Sequence, residues 1–267
     1  MLIKVVAFQG EVGRKLTLEE KIYIFKQRPD FVCLPEYFLL DDTVHDYHRA
    51  ALKRSEYLQY YASLSYELAT CLVAGTCVEA AEDRLYNTAY VFNRGQIIGS
   101  YRKKYPVPRE QERGITPGAD IFLLEIEGVR VGLMICGDVF HRHLYEDMFR
   151  HRADIIFIPT TSSLKPDDSL SRKRHRDKIY FIEGSEVSGA YVVKVCGVGR
   201  IFNRPLQGRS LITAPWGILD QTDVNGEHKK RFLTVTLDIT EVRDFRKKLA
   251  RRQSSVRAGE LLTGVIP

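Results

Sequence analysis

The feature that most constrains the fold is a rhythm of short apolar segments that alternate with helical patterns along the whole chain. LIKVVAF and FVCLPE are typical of strands. Between them, TLEEKIYIFKQR has helical spacing and begins at Thr17, a residue type that caps helix N-termini. Because no linker or shift in composition interrupts this rhythm, the sequence predicts one α/β domain over residues 1–267.

Hairpin signals then limit the kind of α/β domain. LYNTAYVF and QIIGSY are separated by NRG, and FLLEI and VRVGLMI are separated by EG. Several antiparallel pairs within one chain do not suit a single doubly wound sheet. Two stacked mixed sheets with helices outside each would bury these strands better. We therefore predict a four-layer α/β/β/α sandwich. Its later strands are expected at DIIFIPT, YVVKVC, GRSLITA, GILDQ and FLTVTLDI.

The composition favours a globular protein of the cytoplasm. Hydrophobic residues make up 44% of the chain and charged residues 28%, which allows a full core. No apolar run approaches the roughly 20 residues that cross a bilayer. The start, MLIKVVAFQG, lacks the flanks and cleavage site of a signal peptide. We expect no contact with a membrane.

The cysteines divide into two groups. Cys33, Cys71, Cys77 and Cys196 lie in or beside apolar runs, where cysteine acts as a small hydrophobe rather than as part of a disulfide framework. Cys136, in VGLMICGDVF, instead follows a buried strand just where the pattern becomes amphipathic. A thiol at such a turn faces a cleft and lies near helix N–H groups that stabilise a thiolate. Gly137 is expected to give the backbone freedom for the turn. The competing interpretation is a buried structural cysteine.

The chain is basic, with a net charge of +6 and a cluster, SRKRHRDK, at 171–178. A solvated helix face explains such a run, and a basic rim that attracts an acidic small molecule is the functional alternative. The motifs of nucleic-acid-binding domains do not accompany it, so no nucleic-acid partner is predicted.

Two further residues could act with Cys136. Glu36 follows the buried strand FVCLP, and carboxyl ends of strands are where α/β sheets hold their ligands. Asp41 and Asp42 are nearby carboxylates, interpreted as loop residues. Lys103 precedes a long loop punctuated by prolines, of a kind that shapes binding sites. Each residue has an ordinary alternative: a solvated loop carboxylate for Glu36 and a basic strand end for Lys103.

Taken in order, LPE, YRKKYP with its following glutamates and PG, and VGLMICGD resemble the three signature blocks of the nitrilase, or carbon–nitrogen hydrolase, superfamily. GRSLITAPWGIL and FLTVTLDITEVRDFRKKL are similar to its closing blocks, so the resemblance covers nearly the whole chain. It implies the four-layer sandwich and hydrolysis of a small amide or carbamoyl compound. It also implies no metal or organic cofactor and a homodimer or larger homo-oligomer.

The resemblance assigns roles to individual residues. Glu36 matches the general base, Lys103 the oxyanion-stabilising lysine and Cys136 the nucleophile. A second glutamate is expected after the lysine, where Glu110 and Glu112 both occur. We favour Glu112 as this auxiliary residue, because an arginine follows it as in some relatives.

Four residues are candidates for substrate binding. They are Gly137, whose N–H could also bind the oxyanion, Glu110, Arg176 and Glu186. TTSSLKPDDSLSRKRHRDKIYFIEGSEV lacks the tryptophan and asparagine common in the family, and Glu186 is one residue out of step with its glutamate. The cations of the basic cluster, Arg172, Lys173, Arg174 and Arg176, hint at a substrate that bears a carboxylate.

Two alternatives remain. One is a catalytically silent homologue that serves as a binding or scaffold subunit. The other is a Cys-His glutaminase-like amidotransferase that uses His141 or His143, of which at most one could face Cys136 from a helix. The same spacing argues against a metal site, and CGVGR lacks the context of a dinucleotide fingerprint.

Overall fold

Two six-stranded sheets form the centre of the molecule in the computed structural model, which describes residues 1–41 and 43–263, with side chains as far as residue 251. Asp42 therefore lies outside the described residues. In the first sheet the strands are ordered β14-β1-β2-β3-β4-β5. These are β1 (Leu2–Gln9), β2 (Phe31–Cys33), β3 (Cys71–Ala81), β4 (Arg84–Asn93), β5 (Gln96–Arg102) and β14 (Arg231–Asp238).

The second sheet repeats this plan with the order β13-β12-β9-β8-β7-β6. Its strands are β6 (Phe122–Ile126), β7 (Val129–Leu133), β8 (Ile155–Thr160), β9 (Tyr191–Cys196), β12 (Leu211–Ala214) and β13 (Gly217–Gln221). In each sheet the three central strands are parallel and the outer pairings are antiparallel, as the predicted hairpins require. A separate two-stranded hairpin consists of β10 (Arg200–Ile201) and β11 (Arg204–Pro205).

Helices cover the outer faces and complete the predicted four layers. The helices are α1 (Leu18–Gln27), α2 (Tyr47–Leu52), α3 (Arg54–Glu67), α4 (Pro108–Gln111), α5 (Arg142–Arg150), α6 (Leu170–Asp177), α7 (Glu183–Ser188) and α8 (Ile239–Thr263). Apolar residues of α1 and α3 pack on the first sheet, and those of α5 pack on the second. The largest core cluster joins the facing sides of both sheets. The α/β/β/α architecture is confirmed, and among the described helices none is long and apolar enough to cross a membrane.

Local sequence signals explain the helix boundaries. Thr17 caps α1 by accepting a hydrogen bond from the Glu20 N–H, and the Glu20 carboxylate accepts one from the Thr17 N–H. Residues 47–67 form two helices, α2 and α3, which are divided at Lys53. A π-helical segment, Lys178–Ile182, joins α6 to α7 in one longer helical run.

Gly75, in the first sheet, contacts the segment that leads to Glu36. The β3–β4 pairing shifts register between Val73 and Thr76, which leaves Gly75 in an irregular part of β3. Its φ is +69°, and an added Cβ would lie 1.9 Å from the carbonyl oxygen of Pro35. Only glycine combines this backbone conformation with so close an approach. The bulge therefore sets the path of the chain just before Glu36.

We expect Gly75→Ala to lower the free energy of unfolding by roughly 3 kcal/mol or more, because it adds a backbone clash to an unfavourable φ. Gly95→Ala is the matched control. Gly95 has a φ of +88°, but its Cβ would meet no atom closer than 3.5 Å. That substitution should cost only about 1 to 2 kcal/mol. Urea unfolding followed by circular dichroism compares the two, and equal losses would show that the Pro35 contact is unimportant.

Candidate active site

Glu36 lies in the turn after β2, with its side chain only 1% exposed. Its Oε1 accepts hydrogen bonds from Lys103 Nζ at 2.9 Å and from Asn87 Nδ2 at 2.8 Å. Its Oε2 accepts from the backbone N–H of Thr161 at 2.8 Å and from the Thr161 hydroxyl at 2.5 Å. Four donors therefore fix a carboxylate that burial alone would disfavour.

Lys103 directly follows β5 and is equally buried, with its side chain 1% exposed. Its backbone N–H donates to the Asn87 carbonyl, so β4 holds it in place. Its ammonium contacts Glu36 and, at 2.7 Å, Glu110 Oε2. Burial opposes a charge here, but the two carboxylates outweigh it and raise the pKa of Lys103 well above its ordinary value. The lysine therefore stays protonated.

Glu110, on the single turn of α4, is the second carboxylate of this cluster. Oε1 accepts from the Tyr37 hydroxyl and Asn87 Nδ2, each at 2.8 Å. Oε2 accepts from Lys103 Nζ and from the Val107 N–H. Burial raises the pKa of Glu110, but these donors and the Lys103 charge outweigh it, and the pKa is lowered overall. The carboxylate is therefore ionised.

The choice of Glu112 as the auxiliary glutamate is corrected by this geometry. Glu112 is exposed at the end of α4 and does not line the cavity described below. The two glutamates are two residues apart on one helical turn, so they point to different sides. Pro108 begins that turn, and the side chain of Glu110 faces inward, where it contacts Lys103.

Cys136 begins the short 3-10 helix Cys136–Phe140. Two residues, Met134 and Ile135, separate it from the end of β7. Its φ is +41°, a left-handed conformation that L-residues seldom adopt. The sulfur is half-buried and donates to the Thr161 carbonyl at 3.4 Å. Burial, and then the Glu36 charge, raise the pKa of the Cys136 thiol far above its ordinary value, although Lys103 opposes them. The resting sulfur is therefore a neutral thiol.

Gly137 serves a different purpose from the one predicted. The left-handed conformation falls on Cys136 itself, and Gly137 is absent from the described residues with positive φ. What glycine supplies is space, because an added Cβ would lie 2.7 Å from a methyl carbon of Val107 and 3.0 Å from the Tyr105 carbonyl oxygen. The nucleophile turn thus packs directly against the loop that follows Lys103.

Asp138 fastens the same turn and was missed by the sequence analysis. Its fully buried carboxylate accepts hydrogen bonds from the N–H groups of Ile135 and Tyr105 and from the Tyr101 hydroxyl, at 2.8 to 2.9 Å. Burial raises the pKa of Asp138. The aspartate joins the Cys136 turn to β5 and to the loop after Lys103, so it positions two candidate catalytic residues together.

Asn87 and Thr161 were missed as well. Asn87 Nδ2 donates to both glutamates, and Thr161 donates to Glu36 while its carbonyl accepts from Cys136 Sγ. Asn87 carries the clearer sequence signal, since it is a polar residue inside the otherwise buried strand LYNTAYVF. Thr161 follows β8 with nothing in the sequence to distinguish it from its neighbour Thr160.

A cavity of about 520 Å³ opens onto this cluster. Glu36, Lys103, Glu110, Cys136 and Thr161 all line it. Aromatic rings form much of the remaining wall, and they come from five places: the residues after β2, α2, the 3-10 helix Cys136–Phe140, the π-helical segment and the β10–β11 hairpin. They are Tyr37, Tyr47, Phe140, Tyr180, Phe181 and Phe202. The cavity is large enough for a small organic molecule.

The remaining predicted site residues divide between the cavity and the surface. Arg176 lines the cavity but is paired with Asp168. Glu186 is exposed on α7 and does not line the cavity, so its assignment to substrate binding is also corrected. It lies one residue out of step with the family pattern, and on a helix one step turns a side chain by about 100°.

The two histidines near Cys136 form a separate cluster. His141 stacks on the ring of Tyr105 with centroids 3.6 Å apart, and His143 Nε2 lies 2.9 Å from the Tyr105 hydroxyl. Neither is among the described residues that line the cavity. The cavity that Cys136 lines is therefore shared with Glu36 and Lys103 and, among the described residues, with neither of these histidines.

Comparison with known proteins identifies the family of the chain. The family model described as "Carbon-nitrogen hydrolase" matches residues 11–247. The chain belongs to the carbon-nitrogen hydrolase family. Among solved structures, this carbon-nitrogen hydrolase is similar to one from Helicobacter pylori G27, with a TM-score of 0.79, 18% identity and 93% of each chain covered. It is also similar to Saccharomyces cerevisiae Nit3 of the nitrilase superfamily, with a TM-score of 0.77, 20% identity, and 92% of this chain and 94% of Nit3 covered. Likeness at these identities shows the fold.

Some curated relatives are much longer than this chain. A glutamine-dependent NAD(+) synthetase from Aquifex aeolicus is 26% identical over 175 residues, which is 62% of this chain but 28% of that protein. The chain thus spans little more than a quarter of such relatives. Hydrolase Rv0480c from Mycobacterium tuberculosis is 24% identical over 196 residues, which is 69% of each protein.

The position of Glu110 leads to a test that needs no substrate. Both of its oxygens accept two hydrogen bonds, so the amide of Glu110→Gln would turn an –NH₂ group toward donors in either orientation. We expect a loss of about 1 to 3 kcal/mol in unfolding free energy, measured by urea titration. Glu112→Gln makes the same chemical change on the surface and should stay within about 0.5 kcal/mol of the parent. The reverse order would show that residue 112 is the internal glutamate.

Proposed function

We propose that this carbon-nitrogen hydrolase cleaves a non-peptide carbon–nitrogen bond of a small amide or carbamoyl compound through a thioester on Cys136. One observation carries the proposal: a thiol, a carboxylate and an ammonium from three distant stretches of chain line the same cavity. Thr161 joins two of them, because it donates to Glu36 and accepts from Cys136. Amide hydrolysis needs a nucleophile, a proton carrier and a stabiliser of oxyanion charge, and these groups supply all three.

Glu36 would act first as a base. The resting sulfur is a neutral thiol, so it must lose its proton as it attacks the substrate carbonyl. Glu36 takes that proton, the S–C bond forms and the carbonyl π electrons move to oxygen. Glu36 is a candidate for this role because it lines the cavity with Cys136 and is joined to it through Thr161.

Lys103 would stabilise the oxyanion. Its raised pKa keeps it cationic, and its two carboxylate partners hold it in place before substrate arrives, so little reorganisation is needed. The backbone N–H of Gly137, next to the sulfur, is a second candidate donor. Loss of one such donor typically costs on the order of 3 kcal/mol of transition-state stabilisation.

Two proton transfers complete the cycle. Glu36 returns its proton to the nitrogen as the C–N bond breaks, which releases ammonia or an amine and leaves the acyl thioester. Glu36 then removes a proton from water, the hydroxide oxygen attacks the thioester carbonyl, and the C–S bond breaks. The proton returns to sulfur, and a carboxylic acid leaves, or a carbamic acid from a carbamoyl compound. Each bond made is matched by one broken, and the residues present supply every proton carrier.

Ammonia release from a panel of small amides and carbamoyl compounds, glutamine included, tests the function. Glu36→Gln should lower kcat/KM by about 10²- to 10⁴-fold, since the amide cannot carry a proton at neutral pH. Cys136→Ala should abolish turnover. Mass spectrometry of quenched parent enzyme should show an acyl adduct on residue 136.

His141→Ala and His143→Ala provide the control and should retain most of the activity. If either histidine change removed turnover while Glu36→Gln did not, the Cys-His mechanism would replace the one proposed. If no compound in the panel were hydrolysed and no adduct formed, the catalytically silent alternative would hold.

A further inference from the structure

Positive charge dominates the cavity beyond the catalytic cluster. Eight cationic side chains and three carboxylates line it. The cations are Lys103, Arg109, Arg113, Lys165, Arg176, Lys194, Arg204 and Arg209. The excess of positive charge can attract a ligand only where a cation has no carboxylate partner. The ion pairs of each cation therefore decide what the cavity can bind.

The deep cations are already paired. Lys103 lies between the two glutamates. Lys194 Nζ contacts the Asp177 carboxylate at 3.0 Å, and Arg209 contacts its other oxygen. These ion pairs join α6 to β9 and to the segment before β12, and a ligand would have to compete with the partly buried Asp177 carboxylate to use them.

The basic cluster on α6, which the sequence singled out as an anion site, is also accounted for. Arg176 is paired with Asp168, and Lys173 contacts Glu227 at 2.6 Å. Arg172 and Arg174 are exposed and do not line the cavity. Lys173 and Arg176 are therefore neutralised by carboxylates of the protein, and Arg172 and Arg174 face solvent.

Four other cations remain: Arg109, Arg113, Lys165 and Arg204, called here the rim cations. They come from three separate loops, the one after Lys103, the one after β8 and the β10–β11 hairpin. Within the described part of the chain, no carboxylate lies within ion-pair distance of any of them. Three of the four are exposed and Arg204 is half-exposed, so they remain hydrated until an anion arrives.

A row of aromatic rings leads from the rim cations to the catalytic cluster. The Arg113 guanidinium lies 5.0 Å from the centroid of the Phe202 ring, which packs edge-on against Tyr47 at 5.1 Å. Tyr47 stacks on Tyr37 at 5.7 Å, and the Tyr37 hydroxyl donates to Glu110. These rings thus form a continuous series of contacts between the rim cation Arg113 and Glu110.

Phe202 is held there under backbone strain. It and Asn203 form the two-residue turn between β10 and β11, with φ of +47° and +63°. Such turns favour asparagine and glycine, and a bulky aromatic residue with positive φ is unusual. Strained residues persist where surrounding contacts fix them, here the contacts of Phe202 with Tyr47 and Arg113.

From these observations we infer that the substrate is an amide or carbamoyl compound with an anionic group, such as a carboxylate, at its far end. The rim cations bind the anionic group, and an apolar spacer lies along the rings of Phe202 and Tyr47. The scissile carbon then reaches Cys136. This inference rests on the proposed function, and it names the substrate class of the same site. A guanidinium group that has no carboxylate partner gains charge-assisted hydrogen bonds when it binds an anion, and it gains less from a neutral group.

Glutaramate and glutaramide test the inference, because they differ in one end group, a carboxylate against an uncharged amide of nearly the same shape. We expect kcat/KM for glutaramate to exceed that for glutaramide by at least about tenfold at low salt. The ratio should fall between 20 and 500 mM NaCl, because salt screens exposed charges. Equal values for the two compounds would overturn the inference and leave the proposed function intact.

Variants assign the preference to the rim. The double substitution Arg113→Gln with Arg204→Gln should bring the glutaramate-to-glutaramide ratio close to one, whereas Arg113→Lys with Arg204→Lys should preserve much of it. Arg172→Gln with Arg174→Gln is the matched control, since it removes two cations of the same type outside the cavity. A loss of preference in this control would point to net charge rather than to the rim.

A binding measurement separates the two proposals. Calorimetric titration of Cys136→Ala with each compound reports recognition without chemistry. Tighter binding of glutaramate, lost in the Arg113→Gln and Arg204→Gln background, supports the anion subsite even if neither compound is hydrolysed, in which case the proposed reaction is what fails. Binding of the two compounds with equal affinity rejects the subsite.

Discussion

The site depends on one electrostatic arrangement, the buried ammonium of Lys103 between the carboxylates of Glu36 and Glu110. None of the three charges is tolerable alone at such depth, since an ion in a low-dielectric interior needs a partner and hydrogen bonds. Together they are satisfied. The charges of Glu36 and Glu110 raise the pKa of the Cys136 thiol, and Lys103 opposes them. The proposed acid–base role of Glu36 depends on the same arrangement that makes the cluster stable.

Two sheets are required to assemble it. Glu36, Lys103, Cys136 and Thr161 each follow a strand, β2, β5, β7 and β8 respectively. The first two belong to one sheet and the last two to the other, so the cavity lies where the strand ends of both sheets meet. Asp138 links the two halves through the backbone of Tyr105 and the hydroxyl of Tyr101. The face-to-face packing of apolar strand residues is thus what brings the polar groups within hydrogen-bond distance.

The cations deep in the cavity differ from the rim cations in their partners. Each deep cation is paired with a carboxylate, and these ion pairs have a structural role. At the mouth, the rim cations have no carboxylate within ion-pair distance among the residues that the structure describes, and we infer that they bind a ligand. The basic cluster on α6 illustrates the difference, because its inward members are consumed by Asp168 and Glu227 while its outward members face water. A cation's neighbours, and not its presence in a basic run, decide whether it can recognise an anion.

The sequence by itself determined the strand and helix alternation, the hairpins, the capping of α1 by Thr17 and the three residues Glu36, Lys103 and Cys136 as candidates. The elements follow from hydrophobic periodicity and turn chemistry, which are local properties of the chain, and the three residues as a set follow from the resemblance of their motifs to a known family. Only the tertiary structure decided between Glu110 and Glu112, removed Glu186 from the site, and added Asn87, Thr161 and Asp138. It also showed that Cys136, not Gly137, adopts the left-handed conformation. The reason is physical. Contacts between segments that lie far apart in the chain decide which side chain of a short turn faces inward and which glycine is crowded. No local sequence pattern encodes those distances.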